Sequence, residues 1–166
     1  SIKAWHTALN GFDCIKNPIS EEDIQGILGM QHDLVGKKLF PYLSKEQQDE
    51  VMNSCYIQEV NDIKKSGGVL YQGLEEILKV LESKYELYIV SNCQAGYIEA
   101  FYEFHGLGDY FKDFECSGNT GLSKAENIKM VIERNTLAKP IYIGDTLGDY
   151  TCCIRFNLPT CRVRSP

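Results

Sequence analysis

The chain has 166 residues, 43% of them hydrophobic and 24% charged, enough for one full core or for a moderate core with a small lid domain. Its formal net charge of −6 argues against a phosphate-backbone partner, which needs clustered Lys and Arg, so no nucleic-acid partner is expected. No apolar run is long enough to span a bilayer, and Ser1-Ile2-Lys3-Ala4-Trp5 lacks the apolar stretch of a signal peptide; no membrane partner and a cytoplasmic location are expected.

The first 66 residues read as helical. Ile2, Trp5 and Leu9 share one helix face, Ser20 caps a run carrying Ile24, Ile27 and Leu28, and Ser44 with Gln47 makes a capping box. Met52, Cys55, Tyr56 and Ile63 then recur near the 3.6-residue period. Ser66-Gly67-Gly68 punctuates the chain, giving a helical unit over 1–66 and a second unit over 67–166. In the second, the pattern predicts a helix around Leu74, Ile77, Leu78 and Leu81, a strand at Leu87-Tyr88-Ile89-Val90 and a helix from Ile98 to Phe104. A strand near Phe114-Glu115-Cys116, a helix bearing Ile128, Val131 and Ile132, and a strand at Ile141-Tyr142-Ile143 follow. Alternating helices and apolar strands predict an α/β fold, a doubly wound parallel sheet beside a small helical domain.

The seven cysteines, an odd number without CxxC or Cys/His zinc spacing, suit a reducing compartment as buried thiols. Cys93 is a candidate nucleophile by position, but no neighbouring His or basic cluster in the sequence lowers its pKa.

Three short motifs fall where open α/β sheets place ligands, at the carboxyl ends of strands. Gly144-Asp145-Thr146-Leu147-Gly148-Asp149 sits behind the strand at 141–143, and its glycines permit a tight turn that lets Asp145 and Asp149 face one small volume. Two close carboxylates repel, and a hard cation such as Mg²⁺, with its preference for oxygen ligands, relieves this. The same residues also suit a charged turn that merely ends a strand. Ser91-Asn92 follows the strand at 87–90, offering a hydroxyl, an amide and backbone N–H groups to phosphate oxygens, or simply a strand-to-helix turn. Ser123 caps the next helix and leaves Lys124 in its first turn, where the helix dipole disfavours a cation; a ligand would explain it, and so would a solvated surface.

Taken together and in this order, Ser91-Asn92, Lys124 and Gly144-Asp145 with Asp149 resemble the haloacid dehalogenase superfamily. The run Leu70-Tyr71-Gln72-Gly73-Leu74 before Leu78 resembles its phosphoglycolate-phosphatase-like branch, and Ala4-Trp5 with Leu9 resembles the first helix of that branch's helical cap. The resemblance implies hydrolysis of small phosphorylated metabolites through an aspartyl-phosphate, with Mg²⁺ as cofactor. It places Asp145 and Asp149 at the metal, Ser91 and the Asn92 backbone at the phosphoryl group, and Lys124 against the phosphate oxygens and the nucleophile.

One departure stands out. The family's first motif, Asp-x-Asp-x-Thr after an N-terminal strand, supplies the nucleophile and precedes the cap, whereas here the cap-like helix begins at Ser1 and neither Asp13 nor Asp33 follows an apolar strand. The family's central strand, between those ending at Ser91-Asn92 and Asp145, is therefore expected to be missing. Thr160-Cys161-Arg162-Val163 begins a last strand and the chain stops at Pro166, so an incomplete and inactive version of an enzyme is expected. The cap offers Gly36-Lys37-Lys38-Leu39-Phe40 between helices, a lysine for a sugar or carboxylate or a plain solvated pair. A phosphonate hydrolase or a phosphoglucomutase remains open on these residues, and a dehalogenase has no need for the metal carboxylates. The rival from another class is a catalytically silent protein that binds a phosphorylated ligand or a partner.

Overall fold

Helix ends in this chain are written by its serines. In the computed structural model, which describes residues 2–27, 29–30, 32–155 and 158–162, Ser20, Ser44 and Ser123 each accept a hydrogen bond from the backbone three residues on. Asp23, Gln47 and Glu126 return the bond to the cap's own N–H, completing three capping boxes. Ser1, Leu28 and Val163, assigned above to a helix start, a helix run and a last strand, lie outside the described residues.

Four helices make up the first part: α1 (Ile2–Leu9), α2 (Glu21–Gln25), α3 (His32–Leu39) and α4 (Lys45–Ser66). The buried face of α1 is Ala4, Trp5, Ala8 and Leu9, and it packs on the α4 face made by Val51, Met52 and Cys55. Trp5 meets Tyr56 edge-on at 6.4 Å between centroids. Ile19, Ile27, Val35 and Phe40 complete this core. Gln48 is its buried polar member: Nε2 donates to the Phe40 and Leu43 carbonyls at 2.9 and 3.3 Å, where the chain leaves α3. The segment Gly36 to Phe40 does not lie between helices as expected; Gly36 to Leu39 are the last turn of α3, and Lys38 Nζ donates to the Gly26 carbonyl at 2.5 Å.

Gly67 ends α4 in the left-handed conformation with φ of 65°. Two constraints meet there, because a Cβ at Gly67 would also lie 1.9 Å from the Phe104 ring. The helix therefore stops against the α/β part, which runs α5 (Leu74–Glu82), β1 (Leu87–Ser91), α6 (Tyr97–His105), β2 (Phe111–Cys116), α7 (Ser117–Thr120), α8 (Lys124–Arg134), β3 (Tyr142–Gly144), α9 (Leu147–Arg155) and β4 (Thr160–Arg162). A single 3₁₀ turn, Gly108–Tyr110, leads into β2, whose start lies three residues before the predicted Phe114. Helices α4 and α6 pack together, and His105 Nε2 lies 2.7 Å from the Gly67 carbonyl.

All strand pairing among the described residues is parallel, as a helix-connected sheet requires. β1 pairs with β2, with Ser91 opposite Cys116, and β3 pairs with β4, with Gly144 opposite Arg162. These are two separate two-stranded sheets, and β1 does not pair with β3. They meet instead through a side chain, the Tyr142 hydroxyl donating to the Val90 carbonyl at 3.3 Å. Backbones joined only in this way stand further apart than the ~4.8 Å of paired strands. Helix α8 packs on β1 and β2 with Ala125, Ile128 and Val131. At its far end Arg134 donates to Asp113, Glu115 and the Phe114 carbonyl, and so covers the outer edge of β2.

Candidate active site

The carboxyl ends of β1 and β3 carry the residues singled out by sequence. At β1, Ser91 Oγ accepts the Cys93 N–H at 3.2 Å. The Asn92 side chain is engaged at both ends: Oδ1 accepts from Ser117 Oγ at 3.1 Å, and Nδ2 donates to the Gly29 carbonyl at 2.8 Å. Gly29, with φ of 76°, also lies against Thr146, whose Cγ2 would be 3.3 Å from a Cβ there. The loop after α2 thus touches both strand ends.

Lys124 opens α8 and points across to α9. Its Nζ donates to Asp149 Oδ1 at 2.7 Å, with the two side chains 12% and 7% exposed. This partner accounts for a cation in the first turn of a helix. Asp149 is held from three other directions: Oδ2 accepts from the Thr146 N–H and hydroxyl at 3.0 and 2.7 Å, and the Tyr142 hydroxyl lies 3.3 Å from Oδ1. Its own N–H donates to Thr146 Oγ1 at 3.1 Å, so Thr146 and Asp149 form a further capping box at the start of α9. Burial pushes the Asp149 carboxyl up, but the hydrogen bonds from Lys124 and Thr146 and the Lys124 charge prevail, and it sits below the usual carboxylate range. Burial first, then the Asp149 charge, pushes the Tyr142 phenol up, so it stays a neutral donor.

The Gly144 backbone does not adopt positive φ, and neither does Gly148. Gly144 is required for space: a Cβ there would come within 2.6 Å of Asp149 Cβ and Cγ. The two carboxylates consequently have different surroundings. Asp149 is buried and saturated with donors, whereas Asp145 is exposed on the turn between β3 and α9. Ser117, Gly29, Tyr142 and Thr146 were not singled out by sequence; only Thr146 carried a readable signal there, the Thr-x-x-Asp spacing of a capping box.

Among the described residues no group of three or more His, Cys, Asp or Glu side chains could hold a metal by itself. The donor chemistry nevertheless fits Mg²⁺, which takes one or two carboxylates and completes its shell with water and substrate phosphate. Asp145 is an exposed carboxylate open to such an ion, whereas the Asp149 oxygens already accept from Lys124 and Thr146.

The model of the haloacid dehalogenase-like hydrolases matches residues 1–163. The chain belongs to this family. Solved structures share its fold: a haloacid dehalogenase-like hydrolase from Bacteroides fragilis superposes with a TM-score of 0.81 at 15% identity, covering 96% of this chain and 77% of the other. A haloacid dehalogenase-like family hydrolase from Streptococcus pneumoniae gives 0.78 at 20% identity, covering 96% and 74%. A structure described as a predicted phosphoglycolate phosphatase from Haemophilus somnus gives 0.78 at 14% identity, covering 96% and 75%. No curated protein matches the sequence. Among the described residues no helix of this family member is long and apolar enough to cross a membrane.

Proposed function

We propose that this protein is a Mg²⁺-dependent phosphatase of small phosphate monoesters, of the phosphoglycolate or sugar-phosphate type, acting in the cytoplasm through an aspartyl-phosphate. The observation that carries this reading is the shielded Lys124–Asp149 pair, which Tyr142 links to Val90 of β1, the residue before Ser91 and Asn92. Phosphoryl transfer needs positioned charge more than covalent chemistry from the protein, and this arrangement supplies it. Ser91 and the Asn92 backbone hold the phosphoryl oxygens. Lys124, already fixed by Asp149, neutralises those oxygens and the nucleophile. Asp145 and Asp149 would hold Mg²⁺, which would contribute further neutralisation of the phosphate. Residues 1–66 act as the cap and 67–166 as the catalytic core, with Gly29 bringing the cap against Asn92 and Thr146.

The nucleophile of this reading is an aspartate on a strand seated between β1 and β3, whose facing edges do not pair. No Asp-x-Asp occurs within the 166 residues, so this reading requires that strand from elsewhere. A second reading has its own support: both Asp149 oxygens are taken, by Lys124 and by Thr146, which suits a silent protein that binds a phosphorylated ligand.

The deciding experiment compares p-nitrophenyl phosphate turnover by the 166-residue chain with turnover by protein carrying an Asp-x-Asp-x-Thr strand. Turnover is expected only in the second, only with Mg²⁺, and not when the first Asp is changed to Asn. Undiminished turnover in excess EDTA removes the metal from the reading, and turnover by the 166 residues alone removes the supplied nucleophile. Phosphate binding without any turnover selects the silent reading.

A further inference from the structure

Glu59 stands half-buried on α4, where that helix passes from the helical part to the α/β part. Its two oxygens serve different partners. Oε1 accepts from the Trp5 indole Nε1 of α1 at 2.8 Å, and Oε2 accepts from Gln94 Nε2, in the loop after β1, at 3.1 Å. The donors lie 54 and 35 positions away along the chain. Both are buried, so each would be costly to leave without an acceptor. A carboxylate suits this place because it accepts at both oxygens, whereas an amide would turn N–H groups towards one of the two donors.

Gln94 follows Asn92 by two residues, and the loop they share is fastened at several points. Ser91 Oγ accepts the Cys93 N–H at 3.2 Å, and the Gly118 N–H donates to the Cys93 carbonyl at 2.9 Å. The Gln94 carbonyl accepts the Tyr97 N–H at the start of α6 at 3.3 Å and the Cys116 thiol at 3.7 Å. A Cβ on Gly118 would lie 2.1 Å from the Ala95 nitrogen, so the loop and α7 are in backbone contact. All of these contacts stay within the α/β part. Two side-chain bonds cross to the helical part, Asn92 Nδ2 to the Gly29 carbonyl at 2.8 Å and Gln94 to Glu59, and the second is the more shielded from solvent.

We propose that Glu59 is a positioning residue, a carboxylate of the helical part that sets the loop between Asn92 and α6 and with it the backbone N–H groups offered to a phosphoryl group. What the loop holds rests on the phosphatase reading; that Glu59 holds the loop does not. Trp5 fixes the carboxylate from its other side. That indole is locked in the helical core, edge-on to Tyr56, so the packing of α1 on α4 is passed to the loop through one side chain. The chemistry can be exchanged without changing the shape. With Glu59→Gln and Gln94→Glu together, the amide now at position 59 still accepts from Trp5 and donates to the carboxylate now at position 94.

The test is amide hydrogen exchange on the 166-residue chain, followed residue by residue by NMR. In Glu59→Gln the Cys93, Tyr97 and Gly118 amides should exchange about tenfold faster than in the parent, the loss of roughly one hydrogen bond to a charged group, while the Val51 and Cys55 amides keep the parent rate. Gln94→Met leaves Trp5 and Glu59 paired, should free the same three amides, and decides the matter if Glu59→Gln does not fold. The double exchange Glu59→Gln with Gln94→Glu should return them to within about threefold of the parent. Unchanged rates at the three amides, equal acceleration throughout the chain, or no recovery in the double exchange overturns the proposal. In protein carrying the nucleophile strand, Glu59→Gln should raise KM for p-nitrophenyl phosphate about tenfold and change kcat by less than about threefold, because phosphoryl oxygens are held in the ground and transition states alike. A lower kcat at unchanged KM overturns the positioning role. If the parent turns nothing over, the phosphatase reading fails, and the exchange rates still decide on Glu59.

Discussion

The helical and α/β parts of this chain solve opposite problems. In the helical part the buried side chains are otherwise apolar, contributed by residues 4–55, and the buried Gln48 spends its amide on the Phe40 and Leu43 carbonyls just beyond α3. In the α/β part the buried set includes Gln94, Glu115, Ser117, Asn127 and Asp149, while every residue of β1 is only half-covered. Ile141 and Ile143 are 66% and 60% exposed, although parallel strands are normally buried on both faces. The difference separates a region arranged for packing from one arranged for charge, whose apolar strand residues are left open.

The contrast can be sharpened by mutation. Its largest effect belongs to the helical part: Phe40, 1% exposed, has no water to fall back on, and Phe40→Ala should cost about 3–5 kcal/mol in urea unfolding. A loss below ~1 kcal/mol would show that this core is loosely packed. The α/β part should instead respond in activity. In protein carrying the nucleophile strand, Lys124→Ala should lower kcat by about 10²–10³-fold, as losing one preorganised charge-stabilising group does. Unchanged kcat would return Lys124 to a purely structural pairing with Asp149. Asp145→Asn should remove most of the Mg²⁺-dependent turnover without lowering the unfolding midpoint, because Asp145 is exposed.

A smaller effect is expected at the outer edge of β2. Arg134→Ala leaves the buried Glu115 and the Asp113 carboxylate short of a partner and should cost about 1–3 kcal/mol, towards the low end because the guanidinium is partly exposed. The same clamp gives a pH dependence. Burial pushes the Asp113 carboxyl up, yet the bonds from Asn135 and Arg134 hold it below its ordinary 3.8. A depressed folded-state pKa contributes stability that is complete above 3.8 and is lost as pH falls through the lower folded value. Unfolding midpoints followed downward through that window should decline less steeply in Arg134→Ala than in the parent. The smallest effect is at the open face of the sheet: Ile143→Ala should change the stability of the 166-residue chain by no more than ~0.5 kcal/mol. A larger loss in protein carrying the extra strand would show that Ile143 is covered there.

What the sequence determined by itself was everything set by local pattern. Helix starts at Ser20, Ser44 and Ser123 follow from side-chain competition for backbone N–H groups within one turn, and the positions of β1 and β3 follow from short apolar runs; each lay within one residue of its expected span. The order of Ser91-Asn92, Lys124 and Asp145 with Asp149 was legible as well, since motifs keep their sequence order whatever the fold does. Tertiary structure decided what those residues touch. That Lys124 pairs with Asp149 across 25 positions, that Gly144 serves the Asp149 side chain instead of a positive φ, and that Asn92 is held by Gly29 and Ser117 all depend on where separate elements come together. Capping and periodicity act over three or four residues, whereas these contacts are fixed by packing between elements, for which one sequence carries no local signal.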